Sequence, residues 1–590
     1  MGIAARLISE KVKGGQIVTR ILAAEGVRKV FGIIDGTYFG FYSTFEASEI
    51  ELVTPRHESC AVHMAGAYAR ATGKLGVCMA SNGPGVANAL PGVAVEEAEG
   101  NRVLLITSCR RPNIVYPDRG GAFQYFPHTD VIGAMCKWSQ SVPSVDRVAE
   151  MTRRALRMCF TGRPGVVHLD IPETIMNGDY EINPSWFTAP SAYRITTPLA
   201  PHPDQVRAAA DLLLAADRPL IHAGSGVLHA GAYKALARVA ELQHMPITTS
   251  WAARAVVDER HPLSLPMMFV DTIATARNEA DLVLVLGSRL GETDFWGKAP
   301  YWARPAQQKI VQVDLDVEQL GNNRPAALMI QADAGAFLEA LAVELKGRPV
   351  NLAMRQRWND SLQSKRQERR EELDKALTDT QIPMHPAHVP ATCRRIFEDD
   401  AILVIDGGNT AIWANFFHEV RTPNTVLTTP KMGMLGAGVS QTLAAKVAHP
   451  DRQVYCIIGD GAMGFHPQEI ETAVRNDLPV IYLVLCDKQW GMVKINQHFA
   501  VNPVKTLIRK SLSAEESIKT DLGEIEFDVL ARSMGAYGER VADPTGLAGA
   551  IQRAIASGRP SVIHVDVNNV AHMWAPELKT FKDMHQEPKG

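Results

Sequence analysis

The run from Val454 to Val493, VYCIIGDGAMGFHPQEIETAVRNDLPVIYLVLCDKQWGMV, constrains the fold more than any other part of this chain. Val454 to Ile458 is a short, largely β-branched run that reads as a buried strand. Gly459, Asp460 and Gly461 follow, two glycines that let the backbone turn tightly and approach a ligand while the carboxylate points at it. Pro467 to Arg475 has helical spacing, and Leu478 to Leu485 is a second apolar run of strand length, ending near Asp487. A strand–turn–helix–strand unit returns the chain to the same sheet, with parallel strands about 4.8 Å apart. Asp460 and Asp487 are thus expected side by side at the carboxyl ends of neighbouring strands, where open α/β sheets bind ligands. Two hard carboxylates in that position suit Mg²⁺, which often keeps a phosphate in its shell. An ordinary nucleotide-type βαβ turn would look the same locally, so the rest of the chain has to decide.

The same alternation runs through the whole sequence. Residues 12 to 25 read as an amphipathic helix stopped at Gly26. Strands follow at Val30–Ile34, ending near Thr54, at Leu75–Ala80 and at Val103–Thr107. Asp35-Gly36-Thr37 turns out of the first of these strands. Glu58 sits at a strand-to-helix junction, and Ala61, Ala65 and Ala69 line one stripe of the helix, small enough for close packing. Further strands are expected at Pro219–Ala223, Pro246–Thr249, Asp281–Gly287, Lys309–Leu315 and Ala401–Ile405, the last feeding Asp406 to Thr410. This alternation predicts an α/β protein of doubly wound parallel sheets covered by helices on both faces. GRPGVVHLDI from Gly162 is echoed by GRPSVIHVDV from Gly558, each after a helix and opening a strand, which predicts two homologous domains flanking a third. The expected boundaries are 1–190, 191–350, a charged and solvated connecting helix in 351–385, 386–570, and a tail over 571–590.

Composition narrows the class. At 590 residues with 46% apolar and 21% charged residues the chain is an ordinary globular one of several domains. A net charge of −3 gives no reason to expect nucleic acid or an anionic membrane. The longest apolar runs fall far below the ~18 residues that span a bilayer. The first residues, MGIAARLISEKVKGG, show no apolar signal core and no Ser or Thr at the sixth position for myristoylation. Eight scattered cysteines without a C-x-x-C read as reduced core residues of a cytoplasmic protein.

GDG, a helix, and a paired position at Cys486-Asp487 resemble the metal-diphosphate motif of thiamine diphosphate enzymes. PRHESCAVHMAGAYARATGK from Pro55, NGPGVANAL, AFQYFPHTDVIGAMCKWS from Ala122 and KMGMLGAGV from Lys431 are similar to the acetohydroxyacid synthase-like members in order and spacing. The resemblance covers nearly the whole chain. It implies thiamine diphosphate and Mg²⁺ as cofactors, with Asp460 and Asp487 as side-chain metal ligands and the carbonyl of Gln489 as a third. Family members usually carry Asn-Asn where this chain has Cys486-Asp487; the Asp keeps an oxygen on the metal but adds a negative charge. The resemblance places the diphosphate against Gly408, Asn409, Thr410, Gly459, Gly461 and Ala462. It places Leu435 as the apolar wedge beneath the bent cofactor and Met434 among the cofactor-binding residues, with Trp490, Gly491, Met492 and Val493 lining the pocket. Glu58 would hydrogen-bond the pyrimidine ring; among Ala61, Val62 and Met64 it would be desolvated and held as a donor. A helix N-terminal Glu that merely answers the helix dipole is the alternative reading. Phe123 and Gln124 align with positions facing the reactive carbon. Asp35 departs from the family's small residue and either relays protons or caps its turn. His128 and His498 are further polar candidates. In the family the first domain of one subunit meets the third of another, which implies a homodimer or homotetramer.

Three features bear on which reaction is run. GSRLGETDFWGKAP from Gly287 is similar to the loop of oxalyl-CoA decarboxylase and 2-hydroxyacyl-CoA lyase, which hold an ADP-like group, rather than to that of flavin-binding relatives. VQVDLDVEQLGNNRPAA from Val311 fits the same branch, with Asp314 or Asp316 on ribose hydroxyls and Arg289 on a phosphate. The tail carries Trp574, Leu578 and Phe581 alternating with Lys579 and Lys582, either a lid over an acyl-CoA chain or a loosely packed terminus. The first expectation is a 2-hydroxyacyl-CoA lyase yielding formyl-CoA and a ketone or aldehyde, with ADP or CoA in the middle domain. The alternatives are an acetolactate synthase-like carboligase on 2-oxo acids, with FAD there; a sulfoacetaldehyde acetyltransferase-like enzyme; and a non-catalytic binding homologue.

Overall fold

The structure, a computed structural model, describes residues 11–588. The reading of the first ten residues, and the last two of the tail, therefore lie outside the described residues. The chain divides into two compact units, one running to Thr197 and taking in Leu443–Ala448, the other made of Pro198–Thr442 and the residues from His449 on.

The first unit is built on a six-stranded parallel sheet. Its strands are β1 (Lys29–Gly32), β2 (Glu51–Val53), β3 (Gly76–Ala80), β4 (Val103–Cys109), β5 (Trp138–Ser141) and β6 (Val166–Pro172), in the order β2-β1-β3-β4-β6-β5. The inner strands β3 and β6 are buried along their whole length, as continuous apolar runs covered on both faces should be. The helix Glu58–Thr72 starts where His57 Nδ1 accepts the Ser59 N–H and stops at Gly73 in the left-handed region. Its alanine stripe is buried, and a Cβ on Gly76 would sit 2.0 Å from the Ala65 carbonyl oxygen. The expected small-residue packing of helix on sheet is therefore observed.

The second unit carries two sheets. The middle one has β7 (Pro219–Ala223), β8 (Ile247–Thr249), β9 (Leu282–Leu286), β10 (Lys309–Asp314) and β11 (Leu328–Gln331), all parallel in the order β8-β7-β9-β10-β11. The last has β12 (Ile402–Asp406), β13 (Val426–Leu427), β14 (Val454–Gly459), β15 (Ile481–Cys486), β16 (Tyr537–Val541) and β17 (Ser561–Asp566), in the order β13-β12-β14-β15-β17-β16. The first and last sheets have the same strand order, and the two echoed segments open β6 and β17, which hold equivalent places in them. The decapeptide echo thus marks a repeated architecture. The short edge strands β5, β11, β13 and β16 have no long apolar run and carry no clear sequence signal.

The charged segment forms the helix Leu352–Asp374, but it is solvated on one face only. Trp358 and Leu362 join an apolar cluster with Leu265, Ile273 and Trp302. Arg355 is fully buried and donates to the carbonyls of Gln243, Leu213 and Ala216. The tail is no loose terminus. Helices Asn569–Met573 and Leu578–Met584 bury Met573 and Leu578 against Ile412, Trp413, Phe416 and Ile495. Lys582 lies 4.1 Å over the Phe499 ring, while Lys579 is exposed.

The loop after β9 is a structural hub. Asp294 is buried, 2.9 Å from Arg277 and 3.2 Å from His222. Burial alone would raise its pKa, but His222 and Arg277 outweigh that and bring it down to about 2. Burial also lowers His222, so Arg277 carries the charge at neutral pH. Replacing Asp294 by Ala leaves Arg277 buried without its carboxylate and is expected to cost about 3–5 kcal/mol of stability at pH 7. A depressed carboxylate stabilises above its unfolded value of 3.8 and loses that contribution as pH falls through about 2. Urea titrations should therefore show the gap to the parent protein closing over that acidic window.

Candidate functional site

The carboxyl edge of the last sheet is a cradle made by glycines. A Cβ on Gly461 would lie 2.6 Å from the Trp490 ring, one on Gly459 2.9 Å from Thr410 Oγ1, and one on Gly408 3.2 Å from Met492 Cβ. A Cβ on Gly491 would lie 2.8 Å from Asn409 Nδ2 and 3.3 Å from Asp487 Oδ2. The turns after β12, β14 and β15 therefore close on one another, with no room for a side chain at Gly459, Gly461 or Gly491 and little at Gly408. The structure brings Gly408, Asn409, Thr410, Gly459, Asp460, Gly461, Asp487, Trp490, Gly491 and Met492 together at this edge. Asp406, at the end of β12, accepts from the Gly436 and Gly438 N–H groups at 2.9 and 2.8 Å and so fixes the loop that carries Met434 and Leu435, both half-buried. Val493 is 52% exposed, so it faces solvent in the single chain.

The two carboxylates meet. Gly459 pairs with Leu485 across β14 and β15, and Asp460 Oδ2 accepts the Lys488 N–H at 2.8 Å, one residue beyond Asp487. Oδ1 of Asp460 accepts from Gly461 N at 2.7 Å. Burial, and then the neighbouring Asp487 carboxylate, push Asp460 up to about 7. Half-buried Asp460 and buried Asp487 together form an oxygen donor set fit for a divalent cation, as the oxygen preference of Mg²⁺ requires. Among the described residues, buried Asn409 has no hydrogen-bond partner for its Oδ1, a further polar group at the cradle. Cys486 directs its Sγ to the Val484 carbonyl within its own strand.

Sequence reasoning missed His572. Its Nδ1 is 2.6 Å from Asp487 Oδ2 and its Nε2 3.0 Å from Thr410 Oγ1. The side chain of Gln489, expected to act only through its carbonyl, also donates to Asp487 Oδ2 at 3.1 Å and to the Asn569 carbonyl at 2.8 Å. The available signal was topological: β17 lies beside β15, so the residues just past β17 must emerge next to Asp487.

In the first unit the predicted residues also gather at the carboxyl edge. Glu58 is half-buried, not sealed among Ala61, Val62 and Met64, because it stands at the open first turn of its helix. Its Oε2 accepts from Asn88 Nδ2 at 3.0 Å, and its Oε1 lies 3.3 Å from where a Gly85 Cβ would be. Gln124, at φ 53°, holds its carbonyl and Cβ against Gly83 in the same turn, and Phe123 is 74% exposed. Asp35 caps its turn, accepting from Thr37 N at 2.8 Å and Thr37 Oγ1 at 2.6 Å. His128 is buried between the Gly83 N–H, which donates to its Nε2, and Asp170, 3.3 Å from its Nδ1; it braces the Gly83 turn. His498 is likewise occupied, with Ser517.

The middle-domain residues are less concentrated. Arg289 is exposed after β9. Asp314 accepts from Asp316 N at 2.9 Å and Asp316 from Glu318 N at 3.1 Å, so both carboxylates cap the turn after β10.

Three family descriptions match in chain order. The thiamine pyrophosphate enzyme N-terminal TPP binding domain covers residues 12–130, the central domain 206–341, and the C-terminal TPP binding domain 406–565. The chain is 30% identical to acetolactate synthase of Mycobacterium avium, over 96% of this chain and 90% of that protein. It is 27% identical to a probable acetolactate synthase large subunit of Methanocaldococcus jannaschii, over 94% and 92% of the two chains. It is 26% identical to acetolactate synthase isozyme 3 large subunit of Escherichia coli, over 97% of each. Fold and cradle define a three-domain thiamine pyrophosphate enzyme that makes or breaks carbon–carbon bonds. Within that class the chain belongs to the acetohydroxyacid synthase-like family. Among the described residues no helix is long and apolar enough to cross a membrane.

Proposed function

We propose that this protein is an acetolactate synthase-like carboligase that decarboxylates a 2-oxo acid and joins the remaining acyl unit to a second carbonyl. The observation that carries this reading is the full-length similarity to proteins named acetolactate synthase, together with the intact cradle. When bound, thiamine diphosphate supplies a nucleophilic ring carbon and an electron sink. The chain's own part is to hold it. Asp460, Asp487 and the Gln489 carbonyl take Mg²⁺, and the N–H groups of Gly408, Asn409, Thr410 and Ala462 take the diphosphate. Met434 and Leu435 support the bend, Glu58 answers the pyrimidine, and Gln124 and Phe123 face the substrate.

The 2-hydroxyacyl-CoA lyase reading loses two of its supports. Asp314 and Asp316, read as ribose contacts, cap the turn after β10, and the tail read as an acyl-CoA lid packs Met573 and Leu578 into the chain's own core. Purified protein supplied with thiamine diphosphate and Mg²⁺ should turn over pyruvate or a related 2-oxo acid. Formyl-CoA released from a 2-hydroxyacyl thioester, with no 2-oxo acid turnover, would overturn the proposal. The absorbance of the protein separates the branches independently, yellow flavin favouring the synthase and tightly held ADP or CoA the lyase.

Assembly belongs to the same proposal. Glu58 and the metal carboxylates lie in different units, and apolar side chains stay exposed on both: Ile34, Phe39 and Phe123 on the first, Val504, Leu507 and Ile508 on the second. These are surfaces that a second copy with two-fold symmetry would cover.

A further inference from the structure

The segment after β17 forms part of the cofactor cradle. Gln489 bonds the Asn569 carbonyl, the Trp413 indole donates to the His572 carbonyl at 3.0 Å, and Asn409 Nδ2 lies 3.4 Å from the Met573 carbonyl. His572 itself is 4% exposed and uses both ring nitrogens. One tautomer satisfies both contacts: Nδ1–H donates to the Asp487 carboxylate and Nε2 accepts the Thr410 hydroxyl.

The consequence falls on Asp487. Its Oδ2 is engaged twice, by His572 and by Gln489, while among the described residues its Oδ1 accepts no hydrogen bond. A carboxylate can turn about its last bond and offer either oxygen; two donors on the same oxygen remove that freedom. This chain has Asp at a position where Asn is usual, and an Asn at this place would offer only one oxygen. We propose that His572 is a positioning residue for the metal site: it clamps Oδ2 of Asp487, presents Oδ1 to the cation, and turns the Thr410 hydroxyl in the same step. The inference rests on reading Asp460 and Asp487 as the cation's carboxylates. It adds that the C-terminal segment is part of the cation's support, in the way outer partners orient metal ligands elsewhere.

The test uses the full-length protein. Mg²⁺ is titrated at excess thiamine diphosphate and binding is followed by tryptophan fluorescence, since the Trp490 ring lies against Gly461 in the cradle. His572→Ala is expected to weaken Mg²⁺ binding about 10–100-fold, the usual effect of losing such a partner. His572→Asn keeps an N–H for Asp487 and is expected to recover most of that loss. In an Asp487→Asn background the His572→Ala effect should shrink, because the amide has only one oxygen to present. The inference is overturned if His572→Ala binds Mg²⁺ within about twofold of the parent, or if His572→Asn is as impaired as His572→Ala at an equal melting temperature. If Asp460→Asn also binds normally, the reading of the metal carboxylates fails; if Asp460→Asn loses binding and His572→Ala does not, only the role of His572 fails.

Discussion

Replacing Glu58 by Gln is expected to lower kcat about 10²–10⁴-fold, the range over which a positioned proton-transfer group contributes, while melting temperature and cofactor affinity stay near those of the parent. The fold has little reason to notice the change. Glu58 stands half-buried at the first turn of its helix, and the bond its Oε2 accepts from Asn88 can be accepted equally by an amide oxygen. What the amide lacks is the ability to take and return a proton. If Glu58 served only the helix dipole, its replacement would cost some 0.3–1 kcal/mol of stability and leave turnover alone. Steady-state rates and thermal melting on the same preparation separate the two roles, and a near-parental rate removes Glu58 from the chemistry. The Gly85 contact sharpens the test. A Cβ there would sit 3.3 Å from Glu58 Oε1 and 2.6 Å from Ser81 Oγ, so Gly85→Ala should displace these groups and lower turnover without touching the carboxyl group itself.

How much of this was legible in the sequence depends on whether the information was local. Inner strands declare themselves because burial on both faces demands continuous apolar runs, and β7, β9, β10, β14 and β15 fall within a few residues of where those runs predict. Edge strands such as Val426–Leu427 need no such run. The glycines of the cradle were legible as turns, but what they admit was not: that Gly491 yields its space to Asn409 and Asp487 depends on contacts from another part of the chain. His572 was hidden for the same reason. It lies 85 residues beyond Asp487, and only the order of strands in the sheet brings them together. A local motif likewise did not reveal that Asp314 and Asp316, read as ribose contacts, each cap the turn after β10 by accepting the N–H two residues on.

Asp460→Asn is expected to reduce Mg²⁺-dependent cofactor binding by more than about 100-fold, since losing an outer partner alone costs 10–100-fold, while the stability of the cofactor-free protein changes little. Two opposing terms set the stability of the cofactor-free variant. In the chain alone, desolvation of half-buried Asp460, and then the neighbouring Asp487 carboxylate, push Asp460 up to about 7. Removing one charge relieves this, but the amide can accept only one of the Gly461 and Lys488 N–H bonds that Asp460 now accepts, so the melting temperature without cofactor should move little. Adding Mg²⁺ and thiamine diphosphate, which stabilise the parent by mass action, should then shift the variant hardly at all. A variant that binds both as the parent does would refute the metal site. The same substitution tests the assembly when paired with Glu58→Gln. If each site takes Glu58 from one copy and Asp460 from another, a mixed dimer has one site with both lesions and one with neither. Unfolding and refolding the two inactive variants together at equal amounts makes about half the dimers mixed, so about a quarter of the parental activity should return. If both groups serve one site from a single copy, every site keeps a lesion and none returns.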